Sequence, residues 1–272
     1  MLLIEELIKQ YNPKTTEETK SALREIIQSI ILIGLSRGGF FENGSFYGGT
    51  ALRIFYGLKR YSEDLDFTLN KKDDSFSLEP YIKSIREVSE SYGLNFEFSI
   101  KEKVNPTPIE SAFAKINTYE TFISLRIDSS ITNLLHKNEV LKVKFEVDTN
   151  PPLGFDVQTV WLDSPEYAPI AVLDLPSLFS GKIHAVLCRK YKNNVKGRDY
   201  YDLLFYIRKH VSPNLVYLRN RLLESNVINR DNEFNIEILK KMLKDRIKDI
   251  NFDMVKEDAS KFIFKGESID MY

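Results

Sequence analysis

Gly48-Gly49-Thr50-Ala51-Leu52-Arg53, followed after six intervening residues by Arg60-Tyr61-Ser62-Glu63-Asp64-Leu65-Asp66-Phe67, is the stretch on which the reading of this chain turns. A glycine pair opening a helix lets backbone N–H groups approach phosphate oxygens, and the positive helix end favours the anion. Thr50 adds a hydroxyl donor to that turn. Leu65 to Leu69 alternates as a strand, so Asp64 and Asp66 point to one side. Two carboxylates converging there suit a hard divalent cation such as Mg²⁺. Without a cation their like charges repel. Each half also has an ordinary reading, a plain turn and a solvated strand face. Joined by one short helix, they place a phosphate-holding loop beside a metal-holding strand.

Working outward, Ala22, Leu23, Ile26, Ile27, Ile30 and Ile31 have helical spacing, predicting a helix from about Thr16 to Leu35 that Gly38-Gly39 ends. Thr15 with Glu18 reads as its capping box. Pro80 to Ser91 reads as a helix, and Leu94–Ile100, Thr121–Ile127, Leu141–Asp148 and Phe155–Leu162 read as strands. Beyond a seam at Pro165–Pro176, helical patterns dominate: Ser177–Arg189, Arg198–His210, Leu215–Leu223, Phe234–Ile250 and a short amphipathic stretch, Met254–Phe264. The expected fold is α+β, a mixed β-sheet core with flanking helices followed by a mainly helical C-terminal part. The expected domains are residues 1–165 and a helical 166–272 that completes the active-site cleft.

The two quoted motifs resemble the signature of AbiEii-type nucleotidyltransferase toxins, within the DNA polymerase β-like superfamily. Leu178–Leu187 with Lys182, then Gly197-Arg198-Asp199-Tyr200-Tyr201-Asp202-Leu203, resembles that family's lysine helix and R-D-x-x-D-L element. The resemblance spans residues 46–205. It implies a nucleotidyltransferase-like fold and roles residue by residue. Gly48, Gly49 and Thr50 would form the phosphate-binding turn, with Ser62 the serine before the metal-binding Asp64 and Asp66. Lys182 would reach the nucleotide phosphates, and Arg198, Asp199 and Asp202 would match the R-D-x-x-D-L element. Asp199 sits in a helix's first turn, where the helix dipole alone favours an acid, so Asp202 is the preferred catalytic group of the two. Arg198 would pair with either acid and orient it.

The superfamily resemblance also implies a third carboxylate. By alternation Lys142, Lys144, Glu146 and Asp148 share one strand face, and Glu146 is preferred, with Asp148 left open. Lys–Glu pairing on a solvated face accounts for the same pattern. Implied substrates and cofactors are an NTP donor and Mg²⁺ or Mn²⁺. The activity implied is transfer of an NMP to an acceptor hydroxyl, best an RNA such as a tRNA 3′ end, by a bacterial toxin of an abortive-infection or toxin–antitoxin pair. A separately encoded antitoxin need not touch it. Arg189 to Arg198, the most basic segment, with Tyr191 interleaved, suits an RNA end but equally an exposed helix–helix loop.

Composition narrows the alternatives. The chain has 272 residues, a net charge of −1, three histidines and one cysteine. A lone Cys188 forms no internal disulfide, and His136, His184 and His210 are too scattered for a zinc site. His184 and His210 read as ordinary helix residues, and Phe40-Phe41 as core. The opening residues carry acids unlike a signal peptide, and the longest apolar run, Ile30–Leu35, is far too short to span a bilayer. The expected address is the cytoplasm, without membrane contact. Competing readings are the same enzyme acting on a small molecule or protein hydroxyl, and a catalytically idle NTP-binding module.

Overall fold

The computed structural model describes residues 2–101, 108–125, 127, 129–189, 195–248, 250–264 and 267. In chain order the elements are α1 (Leu2–Gln10), α2 (Thr16–Arg37), a 3₁₀ turn (Phe40–Glu42), β1 (Gly44–Tyr47), α3 (Gly48–Tyr56), β2 (Leu65–Leu69) and α4 (Glu79–Ser91). Then come β3 (Glu97–Ile100), β4 (Ile109–Asn117), α5 (Thr118–Ser124), α6 (Ser129–Thr132), β5 (Val140–Asp148), β6 (Val157–Leu162) and β7 (Ala168–Leu173). The remainder is helical: α7 (Leu175–Cys188), α8 (Gly197–Arg208), α9 (Leu215–Glu224), α10 (Ile236–Lys248) and α11 (Phe252–Ser260). The strands form a seven-stranded mixed sheet in the order β3-β4-β5-β2-β1-β7-β6. Among the described residues no helix is long and apolar enough to cross a membrane.

Contacts divide the chain into two compact units, Met1–Phe46 with Glu63–Pro151 and Thr159–Ala171, and Tyr47–Ser62 with Pro152–Gln158 and Val172–Tyr272. The sequence reading drew a boundary near residue 165. The observed grouping instead puts the glycine turn and α3 with the C-terminal helices, because Arg60 pairs with Asp202 inside that second unit.

In the first unit α2 is the central helix. Thr15 Oγ1 accepts from the Glu18 N–H at 3.2 Å, and the Glu18 carboxylate accepts from the Lys14 N–H at 2.7 Å, so the expected box closes one residue upstream. Ile30 to Leu35 are all buried, which a helix covered on all sides requires. Gly34 is what lets α4 approach: a Cβ there would stand 2.5 Å from Ile85 Cα. β2 and β5 run parallel and β4 antiparallel to β5. Leu65, Phe67, Val143, Phe145 and Val147 are buried on one face, worth about 1.5–3 kcal/mol each. The alternate residues of β5, Lys144, Glu146 and Asp148, are only half-buried. Phe40 packs edge-on against Phe41, Phe67 and Tyr81, as a core aromatic.

Three elements differ from the sequence reading. Of the strand expected at Thr121–Ile127, residues Thr121–Ser124 are helical: Asn117 caps α5, its side chain accepting from the Glu120 N–H at 2.9 Å. Local capping outweighs the β-branched content there. The strand lies just upstream as β4, paired with β5 from Ile109 to Asn117. The seam at Pro165–Pro176 contains a buried strand, β7, whose short apolar run carries no periodic signal.

Candidate functional site

Within the second unit the site is built around α3, which starts at the glycine pair. Gly48 has φ of 85°, a left-handed conformation that favours glycine. Gly49 is required for a different reason. A Cβ at Gly49 would lie 2.4 Å from Arg60 Nη2 and 3.1 Å from Ser62 Oγ. The N-cap of this nine-residue helix, Tyr47, makes no side-chain capping bond. Thr50 is buried at 1% exposure.

Arg60 lies under that turn, pressed against Gly49 and locked in place. Its Nε and Nη2 donate to Asp202 Oδ1 and Oδ2 at 2.6 and 2.7 Å, a bidentate pair. Its Nη1 donates to Tyr61 O at 2.9 Å. Lys182, from α7, donates to Asp199 Oδ1 at 2.8 Å and stands 2.8 Å from Asp202 Oδ2. Arg189 completes the set by donating to Asp199 Oδ2. Asp199 and Asp202, on successive turns of α8, therefore join three cations, Arg60 from the segment after α3 and Lys182 and Arg189 from α7 and its C-cap.

Asp202 is fully buried, with both oxygens committed to Arg60 and Lys182. That arrangement sets its carboxylate at the centre of an ion-pair network. Burial works against its ionisation, but Arg60 and Lys182 outweigh it and hold its carboxyl below the usual range. Burial likewise opposes Asp199, and Lys182 and Arg189 bring it down to about 2. Lys182 is kept charged in turn by Asp202 and Asp199 against the burial that would neutralise it. The acids pair with Lys182, Arg60 and Arg189, and the Arg198 guanidinium lies 4.1 Å over the Phe262 ring.

Gly49→Ala should therefore destabilise the fold by about 2–3 kcal/mol, since the new methyl meets a guanidinium that a buried pair prevents from moving. Chemical denaturation of the variant beside Gly48→Ala measures it. A Gly49→Ala stability within about 0.5 kcal/mol of the parent rejects the contact.

Acid dependence follows from two groups of this unit. Burial, with Arg221 and Arg189 adding to it, lowers His184 to about 4, and its Nε2 sits 2.7 Å from Ser225 Oγ. The unfolded chain takes up this proton near pH 6.5 and the folded one only near 4, so stability falls as pH drops through that window. Asp199 behaves as a depressed acid: its contribution, about 2 kcal/mol, is complete above pH 3.8 and is lost as pH falls toward 2. Urea denaturation from pH 7 to 2 should show both losses, and His184→Gln should flatten only the upper one. A His184→Gln profile identical to the parent removes that assignment.

In the first unit, Asp66 lies on β2 while Asp64 stands exposed just before it, so only one of the pair is on the strand. Parallel register sets Asp66 directly beside Glu146 of β5, and antiparallel register sets Ser111 of β4 on the other side of Glu146. Glu146 is committed locally: it accepts from Ser111 Oγ at 2.8 Å and sits 2.6 Å from Lys144 Nζ. This is the Lys–Glu pairing that strand alternation equally allowed. Asp148 Oδ1 accepts from the Asn150 N–H at 3.0 Å.

Among the described residues no three His, Cys, Asp or Glu side chains form a metal-holding group. Magnesium, however, is commonly held by one or two carboxylates with water and substrate phosphates completing its shell. Asp64 and Asp66 are oxygen donors of the kind such a shell uses, one exposed and one half-buried.

Ser62 is half-buried beside Gly49. Cys188 is a half-buried free thiol whose pKa burial pushes up. Of the basic segment, Lys190–Asn194 lies outside the described residues, while Arg189 and Lys196 are exposed. Sequence reasoning missed Arg60 and Arg189. Arg60 stood in the quoted motif, and the one signal that could have found it was a cation flanking the motif with an acid still to be paired in R-D-x-x-D-L.

A family model described as nucleotidyl transferase AbiEii toxin, type IV TA system, matches residues 30–269. Among solved structures the chain is similar to MenT4, a nucleotidyltransferase toxin from Mycobacterium tuberculosis H37Rv, with a TM-score of 0.53 and 16% identity over 94% of this chain and 93% of that one. It also aligns with JHP933 from Helicobacter pylori, with a TM-score of 0.45 and 17% identity over 89% and 94% of the two chains. No curated protein matches. The MenT4 likeness shows the fold, a mixed sheet with flanking helices. The family match covers most of the chain and carries the activity, which sets aside the idle-module reading. With G-G-T, D-L-D, the lysine helix and R-D-x-x-D-L all inside the matched span, the chain belongs to the AbiEii family and is a nucleotidyltransferase toxin of a type IV toxin–antitoxin system.

Proposed function

We propose that the protein transfers a nucleoside monophosphate from an NTP to a hydroxyl of RNA, best a tRNA 3′ end, in a divalent-metal-dependent reaction that releases pyrophosphate. The observation that carries this reading is the start of α3: a left-handed Gly48, a Gly49 with no room for a side chain, and a helix end without a side-chain cap. Such an end suits phosphate oxygens. Gly48 and Gly49 bind the triphosphate through backbone N–H groups, and Thr50 supports the turn from inside. Ser62, next to Gly49, borders the same phosphates. Lys182 and Arg198 supply positive charge to the nucleotide, with Asp199 and Asp202 holding Lys182 in place.

Asp64 and Asp66 hold Mg²⁺ or Mn²⁺, which when bound acidifies the attacking hydroxyl and neutralises the departing pyrophosphate. We place Glu146 beside this pair, orienting Lys144 and Ser111, and not among the ligands. The exposed Arg189 and Lys196, flanking the basic segment, favour an RNA acceptor over an uncharged one. The family also implies an antitoxin encoded separately, and the proposed reaction requires no contact with it.

Incubation with each α-³²P-labelled NTP, Mg²⁺ and total bacterial RNA tests the reading. Label from one NTP in a tRNA-sized band supports it. Label in a protein band or a small molecule moves the acceptor to that class.

A further inference from the structure

The C-terminal end of α7 is finished by a side chain from another helix. The last carbonyls of a helix have no partner within it and need one from outside. For α7 that partner is Arg246 of α10, whose Nε donates to Val186 O at 3.0 Å and whose Nη2 donates to Arg189 O. A cation at this end also meets the negative pole of the helix. α10 reaches the place because Leu243 and Ile247 pack on the buried cluster of Val186, Val195, Tyr200 and Val255. Leu243, Arg246 and Ile247 share one side of α10 by helical spacing, so the apolar contact and the guanidinium arrive together. What Arg246 holds is the stretch on which the acid–cation network ends. Arg189, the C-cap of α7, gives its carbonyl to Arg246 and its own guanidinium to Asp199 Oδ2. Asp199 Oδ1 accepts from Lys182, midway along the same α7, at 2.8 Å.

We infer that Arg246 is a positioning residue for nucleotide binding: by holding the end of α7 it keeps Arg189 on Asp199, and Asp199 in turn sets Lys182. This rests on Lys182 being a nucleotide contact, as proposed above. The chemistry of the contact favours arginine at this place. Two carbonyls at one helix end are met by two N–H groups of a single planar fork, whose mutual geometry is fixed before the contact forms. Water satisfies such carbonyls too, but it does not tie them to a second helix. Arg189 needs the restraint, because its side chain is 45% exposed and water competes there for its bond to Asp199. Fixing the main chain at Arg189 removes part of the freedom that the bond otherwise has to overcome. Arg189 then fixes one end of a carboxylate whose other end sets Lys182 Nζ. α10 braces the acid from a second direction, since Tyr200, the residue after Asp199, lies in the cluster on which Leu243 and Ile247 pack.

The test compares Arg246→Met, Arg246→Lys, Arg189→Ala, Lys182→Ala and the Arg246→Met/Arg189→Ala double variant in the full chain, measuring KM for the NTP, kcat and Tm. Arg246→Met keeps an apolar stem and removes the donors; it should raise KM about tenfold, equivalent to about 1.4 kcal/mol, with kcat within about twofold. Arg246→Lys returns a cation and donors to the helix end and should bring KM most of the way back. The double variant should be no worse than Arg189→Ala, because both act through Asp199. If Arg246→Met does not fold, Arg246→Gln takes its place, with a KM rise in the same direction. A wild-type KM in Arg246→Met or Arg246→Gln beside an impaired Arg189→Ala overturns the inference alone. An additive double variant does the same, as does an Arg246→Lys with no better KM than Arg246→Met. A fully active Lys182→Ala overturns the nucleotide role of Lys182 and the inference with it.

Discussion

Replacing Asp202 with alanine should lower stability by about 3–5 kcal/mol, the cost of leaving buried charge without its partner. Arg60 and Asp202 are 3% and 0% exposed, so water cannot replace the lost carboxylate. Lys182 would retain Asp199, and Arg189 would still share that acid, but Arg60 would lose both of its short charged bonds. For a chain of this length the loss corresponds to a fall in Tm of about 10 °C. Activity should fall with it, because Arg60 packs against Gly49 and its displacement frees the phosphate turn. Lys182→Ala should differ in kind: Asp202 keeps Arg60 and Asp199 keeps Arg189, so stability changes less than activity. A double Arg60→Met/Asp202→Leu variant should recover much of the stability lost in Asp202→Ala, since removing both charges leaves nothing unpaired. An Asp202→Ala protein melting within about 2 °C of the parent would show that the pair carries little.

That network also shows where sequence reasoning reaches its limit. Helical spacing located α2, and alternation located β2 and β5, because one face of each is buried and the period records it. The glycine pair and the lysine helix were visible as motifs, and both fall on the helices expected of them. What was not visible is the partner of each charge. Arg60 and Asp202 are 142 residues apart, and no local pattern says which cation an acid on α8 will meet. The same distance hides why Gly49 is glycine: the clash is with Arg60 and not with its own backbone. Glu146 is a different case: alternation put it on one face with Lys144 and Asp148, register sets it beside Asp66, and its carboxylate pairs with Lys144 two residues away. β7 and α5 were missed because a short buried run has no period and an asparagine cap overrides local β-propensity.

The complementary prediction concerns Asp64 and Asp66, where activity and stability should separate. Asn at either position keeps the shape and removes the charge that a divalent cation needs, so transfer should fall about a thousandfold, or about 4 kcal/mol in transition-state stabilisation. Stability should change much less than activity, because Asp64 is exposed and Asp66 only half-buried. Mg²⁺ should raise the Tm of the wild type by binding the folded form alone, an effect of about 2.7 kcal/mol at a hundredfold excess over Kd. Each Asn variant should lose most of that rise, a readout independent of turnover. The contrast with Asp202 is the informative part. Both are acids of the shared motifs, yet one class should fail in chemistry with the fold intact and the other should fail in the fold first. An Asp66→Asn protein that keeps both its rate and its Mg²⁺-dependent Tm rise would remove the metal from β2.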